Sequence, residues 1–190
     1  MSANFILLFI LLVNPFSQPD SKFFEYELTD IHGRKFSFSE LKNSEATAVI
    51  FMLSDCPATQ DYTLTLNILA EKYGDKVAFL GIIPGKFATI DEMRDFEKTY
   101  KIKFRLLQDP EMKVTAHLGG KIAPSCLVVD RNGNNVYNGR IDDWFYSLGK
   151  KRQVIKEDNL DNAIRHVLYK EKLIRAQADA FGCILHYDKD

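Results

Sequence analysis

The chain has 190 residues, 46% of them apolar, which suits one domain with a sizeable core. Lys plus Arg number 25 against 26 for Asp plus Glu, so no net field draws the protein to nucleic acid or to an anionic membrane surface. Three cysteines are present, at spacings that exclude a CxxC pair and the clustered ligands of a structural zinc site.

Residues 5–13, FILLFILLV, form an unbroken apolar run, shorter than the roughly 20 residues a membrane-spanning helix needs. The run reads as the core of a signal peptide over residues 1–20, although no Lys or Arg precedes it and no A-x-A site follows. The alternative is an N-terminal strand or a retained anchor. Export places the mature domain in a periplasmic or other extracytoplasmic setting, where disulfides persist, with membrane contact only through an uncleaved leader.

After the leader, FFEYELTD and RKFSFSEL flank IHG and predict a β-hairpin with alternating apolar positions. TAVIFMLS is a continuous apolar strand, expected to be buried on both faces. From Pro57 to Tyr73 the spacing of Tyr62, Leu66, Leu69 and Tyr73 predicts a helix, which Gly74 closes. KVAFLGII is the next buried strand. TIDEMRDFEKTY is a helix with Thr89 as N-cap and acidic residues in its first turn, where the macrodipole favours them.

KFRLL predicts a short strand, and DPEMKVTAHLG a brief helix opened by Asp109 with Pro110 at its first position. SCLVVD and NVYNGRI, joined through NG, make a second hairpin. EDNLDNAIRHVLYKEKLIRAQADA supplies a final helix, broken near Lys170. Alternating strands and helices imply an α/β fold: a central mixed β-sheet with helices on both faces, an N-terminal β-hairpin and an antiparallel edge. Residues 21–172 form the expected domain and 173–190 a tail carrying Cys183.

Chemistry is concentrated at Cys56. It sits where the first central strand meets its helix, and Pro57 suits the first helical turn because its missing N–H has no intrahelical partner there. Cys56 is then the N-cap, and a thiolate at that position faces unpaired N–H groups and the positive end of the helix dipole, which favours ionisation. Asp55 and Asp61 favour the neutral thiol if they approach closely. The bland reading is a buried cysteine used as a small hydrophobe. Position argues against it, because ligands of open α/β sheets bind at carboxyl ends of strands.

The stretches SDCPATQDYTLTLNILAEKY, LLQDPEMKVTAHLGGKIAPSCLVVDRNGNNVYNGRIDDWFYSLGKKR, NLDNAI and FGCIL carry a family likeness. In matching order over about residues 24 to 185, the chain resembles the redoxin branch of the thioredoxin-like superfamily, whose members include peroxiredoxins and alkyl hydroperoxide reductases. The resemblance implies a thioredoxin fold with Cys56 at the position of the nucleophile. It also implies that Pro124, in IAPS, is the proline such proteins keep in cis beside the active thiol. Pro57, Ala123, Pro124 and Arg140 are then the expected substrate-positioning residues. A trans proline at a strand start is the plainer reading of Pro124 alone.

Two departures from the family patterns bear on activity. Asp55 and Thr59 stand where thioredoxins carry the tryptophan and second cysteine of W-C-x-x-C, so dithiol exchange within one turn is impossible. Leu53 and Val49 replace the threonine and proline of the peroxiredoxin pattern P-x-x-x-T-x-x-C. A second thiol must come from elsewhere. Cys183, on a tail able to return to the helix start, is the candidate resolving thiol, and Cys126 is the alternative disulfide partner, two residues beyond Pro124 on a strand whose LVV marks it as core. A purely structural tail disulfide is the third reading.

Arg140, Asp142, Asp143 and Trp144 read either as a solvated, salt-bridged turn with an aromatic anchor or as a rim that brings Arg140 to Cys56. Lys150, Lys151 and Arg152 read as a solvated basic loop. The expected activity is thiol–disulfide exchange on a protein disulfide, with an external thiol reductant and no organic cofactor. Its rivals are a peroxidase with antioxidant activity and a non-catalytic binding or metal-carrier module, for which Cys56, Cys183 and His186 are the conceivable soft ligands.

Overall fold

The computed structural model describes residues 20–147 and 149–187. The apolar run at 5–13, on which the export reading rests, lies outside the described residues. In chain order the elements are a 3₁₀ segment (Ser21–Glu25), β1 (Glu27–Asp30), β2 (Lys35–Ser37), a second 3₁₀ segment (Phe38–Asn43), β3 (Ala46–Phe51) and α1 (Pro57–Tyr73). There follow β4 (Val77–Pro84), α2 (Ile90–Tyr100), β5 (Arg105–Asp109), α3 (Lys113–His117), β6 (Ile122–Ala123), β7 (Ser125–Asp130) and β8 (Asn135–Gly139). The chain closes with β9 (Phe145–Ser147), β10 (Lys150–Lys151), α4 (Asn159–Tyr169), β11 (Gln177–Ala178) and β12 (Cys183–Ile184).

Among the described residues, eight strands form one mixed sheet in the order β11-β8-β7-β3-β4-β5-β1-β2. The β3–β4 and β4–β5 pairs are parallel, whereas β7 runs antiparallel to both β3 and β8. All six residues of β3 are buried, as its unbroken apolar run requires of a strand covered on both sides. Ala48, Ile50 and the following Met52 pack with Tyr62 and Leu66 of α1, Met93 and Phe96 of α2, and Leu160 and Ile164 of α4. Val49 and Phe51 point the other way, toward Phe23, Phe38, Val114 of α3 and Leu185 of the tail. The three longer helices therefore share one face, and short segments cover the other. This is the thioredoxin-like α/β fold, with its N-terminal hairpin in place between β1 and β2.

Four elements depart from the sequence reading. FFEY and FSEL are 3₁₀ turns flanking the hairpin, and Ser37 with Glu40 forms a capping box at the second. Asp109 does not open α3. It ends β5 opposite Pro84, and its buried carboxylate accepts the N–H and hydroxyl of Thr115, both at 2.7 Å. The final helix stops at Lys170, in the left-handed region at φ 59°. Beyond it the chain is extended, because Gln177 and Ala178 pair with β8 at Asn138 and Gly139. Gly139 is needed there, since a Cβ would collide with the Ala178 carbonyl.

Candidate thiol site

Strand β3 delivers the chain to a tight turn in which the Cys56 N–H donates to the Leu53 carbonyl at 3.2 Å. Cys56 has extended backbone angles, Pro57 takes the first helical position, and the Cys56 carbonyl accepts the Gln60 N–H at 3.0 Å. Cys56 is thus the N-cap of α1 by backbone. Its sulfur, however, accepts no N–H from the first turn. It is bonded instead to the sulfur of Cys183, with the two Cα atoms 6.2 Å apart and a sequence separation of 127.

The partner strand explains how the tail reaches this point. Antiparallel pairing sets Cys183 opposite Ala123 and Ile184 opposite Ile122, and the Leu185 N–H donates to the Lys121 carbonyl at 2.9 Å. The Ala123–Pro124 peptide bond is cis, and the Ala123 carbonyl lies 3.3 Å from the Cys56 sulfur. A reduced Cys56 can donate its S–H to that oxygen, whereas the disulfide has no proton to give. Cys56 is 1% exposed, and Cys183 is partly exposed. Of Pro57, Ala123, Pro124 and Arg140, the first three lie at this junction.

Arg140 has other partners. Its guanidinium donates to Asn159 at 2.9 Å and to Glu157 at 2.7 Å, joining the end of β8 to the start of α4. Cys126 is free and fully buried; burial, then the nearby Asp142 carboxylate, pushes its thiol far above the ordinary range. The core position expected from LVV is the one it occupies.

The GRIDD turn is buried rather than solvated. Asp142 accepts the Tyr62 hydroxyl at 2.6 Å and the Trp144 N–H at 2.8 Å, and desolvation leaves its pKa raised despite both bonds. Asp143 is also desolvated, but the N–H groups of Lys156 and Glu157 and the charge of Arg152 more than offset that and hold its pKa below the ordinary aspartate value. Lys151 pairs with Asp61 at 2.6 Å and lies 4.5 Å over the Trp144 ring, so the basic loop is tied down.

Sequence reasoning missed three further features. Thr59, at the position of a second cysteine in CxxC, is fully buried, and its hydroxyl has no hydrogen-bond partner among the described residues. Gly182 lies so close to Ala123 that a Cβ would strike its carbonyl. Leu185 is buried among the residues around Phe51 and Val114. The juxtaposed GC and aliphatic residue in FGCIL were the only signal for the last two. Beside the site, a cleft of about 320 Å³ runs between the Ser54–Asp55 turn and α2, lined by Gln60, Phe87 and Glu92. Among the described residues no group of His, Cys, Asp and Glu is arranged to hold a metal ion.

A cysteine at the start of the helix after a central strand, facing a cis proline across the sheet end, defines a thioredoxin-like thiol protein. The comparisons agree. The chain belongs to the AhpC/TSA family, whose model matches residues 19–137. It is similar to a hypothetical protein of Sinorhizobium meliloti, at 27% identity and a TM-score of 0.74, covering 84% of this chain and 88% of that one. An uncharacterized conserved protein of Geobacillus kaustophilus shares the fold at 19% identity and a TM-score of 0.76, over 87% and 89% of the two chains. A secreted disulfide oxidoreductase of Mycobacterium tuberculosis does so at 20% identity and 0.55, over 60% and 83%. A search of curated proteins returned no match. No described helix is long and apolar enough to cross a membrane.

Proposed function

We propose that this protein is an exported thiol–disulfide oxidoreductase in which Cys56 is the nucleophile and Cys183 the resolving thiol. The observation that carries the reading is the disulfide between a helix-capping cysteine and a tail cysteine at the cis-proline strand. In the reduced protein the Cys56 thiolate attacks one sulfur of a partner disulfide, forming a mixed disulfide and expelling the partner's other sulfur as a thiolate. The Cys183 thiolate then attacks the Cys56 sulfur, forming the internal disulfide and releasing the second partner thiolate. The partner disulfide is reduced and the protein dithiol oxidised, two electrons passing between them.

An external thiol closes the cycle. Attack at Cys183, the more exposed residue of the two, expels Cys56 as the thiolate at the start of α1; a second reductant thiol then frees Cys183. No organic cofactor enters these steps. Ala123, Pro124 and Pro57 position the reacting strand, while Arg140 braces the end of β8 against the start of α4. Residues 21–172 serve as the catalytic body, 173–190 as the resolving tail and 1–20 as the export segment. The secreted character of the Mycobacterium tuberculosis relative supports export to an extracytoplasmic, periplasmic space.

A second reading follows from the family, which contains peroxide reductases: the Cys56 thiolate attacks one peroxide oxygen, breaking the O–O bond and expelling the other oxygen as alcohol or water, and Cys183 condenses with the resulting sulfenic acid to form the disulfide, releasing water. Steady-state reduction of insulin disulfides by the protein with dithiothreitol, beside trapping of sulfenic acid after hydrogen peroxide, separates the two. Thiol–disulfide exchange predicts insulin turnover abolished by Cys56→Ser and little sulfenic acid; the reverse pattern assigns the peroxidase.

A further inference from the structure

The oxidised protein holds its own tail in the posture of a captured peptide. Strand β6 has two residues, and β12 is its sole strand partner among the described residues. With β12 lifted away, its outer edge is unpaired and lies directly beside the Cys56 sulfur. A short exposed edge next to a nucleophile is a place where an extended segment adds by main-chain hydrogen bonds, with alternate side chains read by pockets.

The tail reports what that seat accepts. Gly182 passes against the Ala123 carbonyl with no room for a side chain, and Cys183 turns inward to Cys56. Ile184 is 62% exposed and unread, whereas Leu185 is 4% exposed and enters the apolar cluster with Phe51 and Val114. Tyr187 closes the segment by donating its hydroxyl to the Gly120 carbonyl. Inward, outward, inward is the alternation of a strand.

We infer that partner segments and the tail compete for this one seat, and that it selects an extended segment with glycine immediately before the reactive cysteine and a large aliphatic residue two positions after it. The inference rests on the proposed exchange activity and adds a substrate class to it. Resolution and release become a single strand exchange: as Cys183 attacks the Cys56 sulfur, β12 takes back the edge that the partner segment occupied, and the partner leaves as a free thiolate.

The test uses the full chain with Cys183→Ser, so that the tail forms no disulfide and competes equally with every probe. The probes are a peptide of residues 180–187 whose cysteine carries a thionitrobenzoate disulfide, and two relatives with Gly182→Ala or Leu185→Asp. Attack by the Cys56 thiolate on the peptide sulfur expels coloured thionitrobenzoate, and Ellman's reagent reads the same thiol without the seat. The parent peptide should react faster than either relative on the order of tenfold, the ratio that corresponds to about 1.4 kcal/mol, within the usual cost of overpacking. Equal rates for the three peptides alongside brisk reaction with Ellman's reagent overturn the seat and leave the exchange activity standing. Failure of all four probes removes the nucleophile, and the seat with it.

Discussion

Thr59 concentrates the residue-scale physics of the site. Its hydroxyl is buried at the third position of α1 without a partner among the described residues, and such an orphan costs about 1–3 kcal/mol relative to one that is satisfied. Thr59→Val keeps the shape and the β-branch while removing the orphan. In the oxidised protein it should raise stability by about 1 kcal/mol, read as a shift of the urea midpoint at unchanged slope. Asp30 and Asp143 behave oppositely to such an orphan. Both are buried, yet Asp30 receives the N–H groups of Arg34 and His32 and the Arg34 side chain, and both carboxyls are held below the ordinary value of 3.8. A depressed carboxyl stabilises the fold above the unfolded value and loses that contribution as pH falls through the folded one. Urea unfolding should therefore show stability flat near neutrality and declining once pH drops below about 4, with Asp143→Asn flattening part of that decline. The sequence showed these aspartates only as charges. Their burial depends on residues more than ten positions away, and local pattern carries no such information.

Among elements, α1 was the most legible and β12 the least. Pro57, the spacing from Tyr62 to Tyr73 and Gly74 fix α1 from within, because a helix is built from contacts three and four residues apart. A two-residue strand such as β12 has no internal pattern, and its existence depends on β6, some sixty residues earlier in the chain. The extended course after Lys170 is a case where pairing with β8 overrides local helical preference. Two predictions belong here. Tyr62 ties α1 to the GRIDD turn through Asp142, so Tyr62→Phe should cost about 1.5–3 kcal/mol, the range for a hydrogen bond to a charged group, in chemical denaturation. Gly182→Ala should weaken the seating of β12 and shift the Cys56–Cys183 couple toward the dithiol in a glutathione titration, on the order of tenfold in the equilibrium constant.

For the whole molecule, the disulfide links the start of α1 to the far end of the chain. A closed loop above 100 residues removes about 4–5 kcal/mol of chain entropy from the unfolded state in the loop-closure account. Reduction should lower the melting temperature by about 10 °C or more, since 1 kcal/mol moves a chain of this size by about 2–4 °C. The same bond thus serves stability in the oxidised form and becomes the released thiol pair in the reduced form. The mixed sheet with its antiparallel edge and the family likeness were readable from alternating strands and helices and from the quoted motifs. The preference for Cys183 over Cys126 was readable as well, from the LVV that marks Cys126 as core, although cysteine arithmetic alone admits both. Burial of Cys126 in β7 and the return of the tail to β6 decide it.

The central claim is tested most directly by time-resolved cysteine mapping. The reduced protein is mixed with one equivalent of a disulfide-containing protein, quenched in acid at intervals, alkylated and mapped by mass spectrometry. A transient adduct on Cys56, decaying as the Cys56–Cys183 bond grows while Cys126 stays free, is the predicted course. An adduct that forms on Cys183 alone, or reduction of the partner with no Cys56–Cys183 bond appearing, would contradict it.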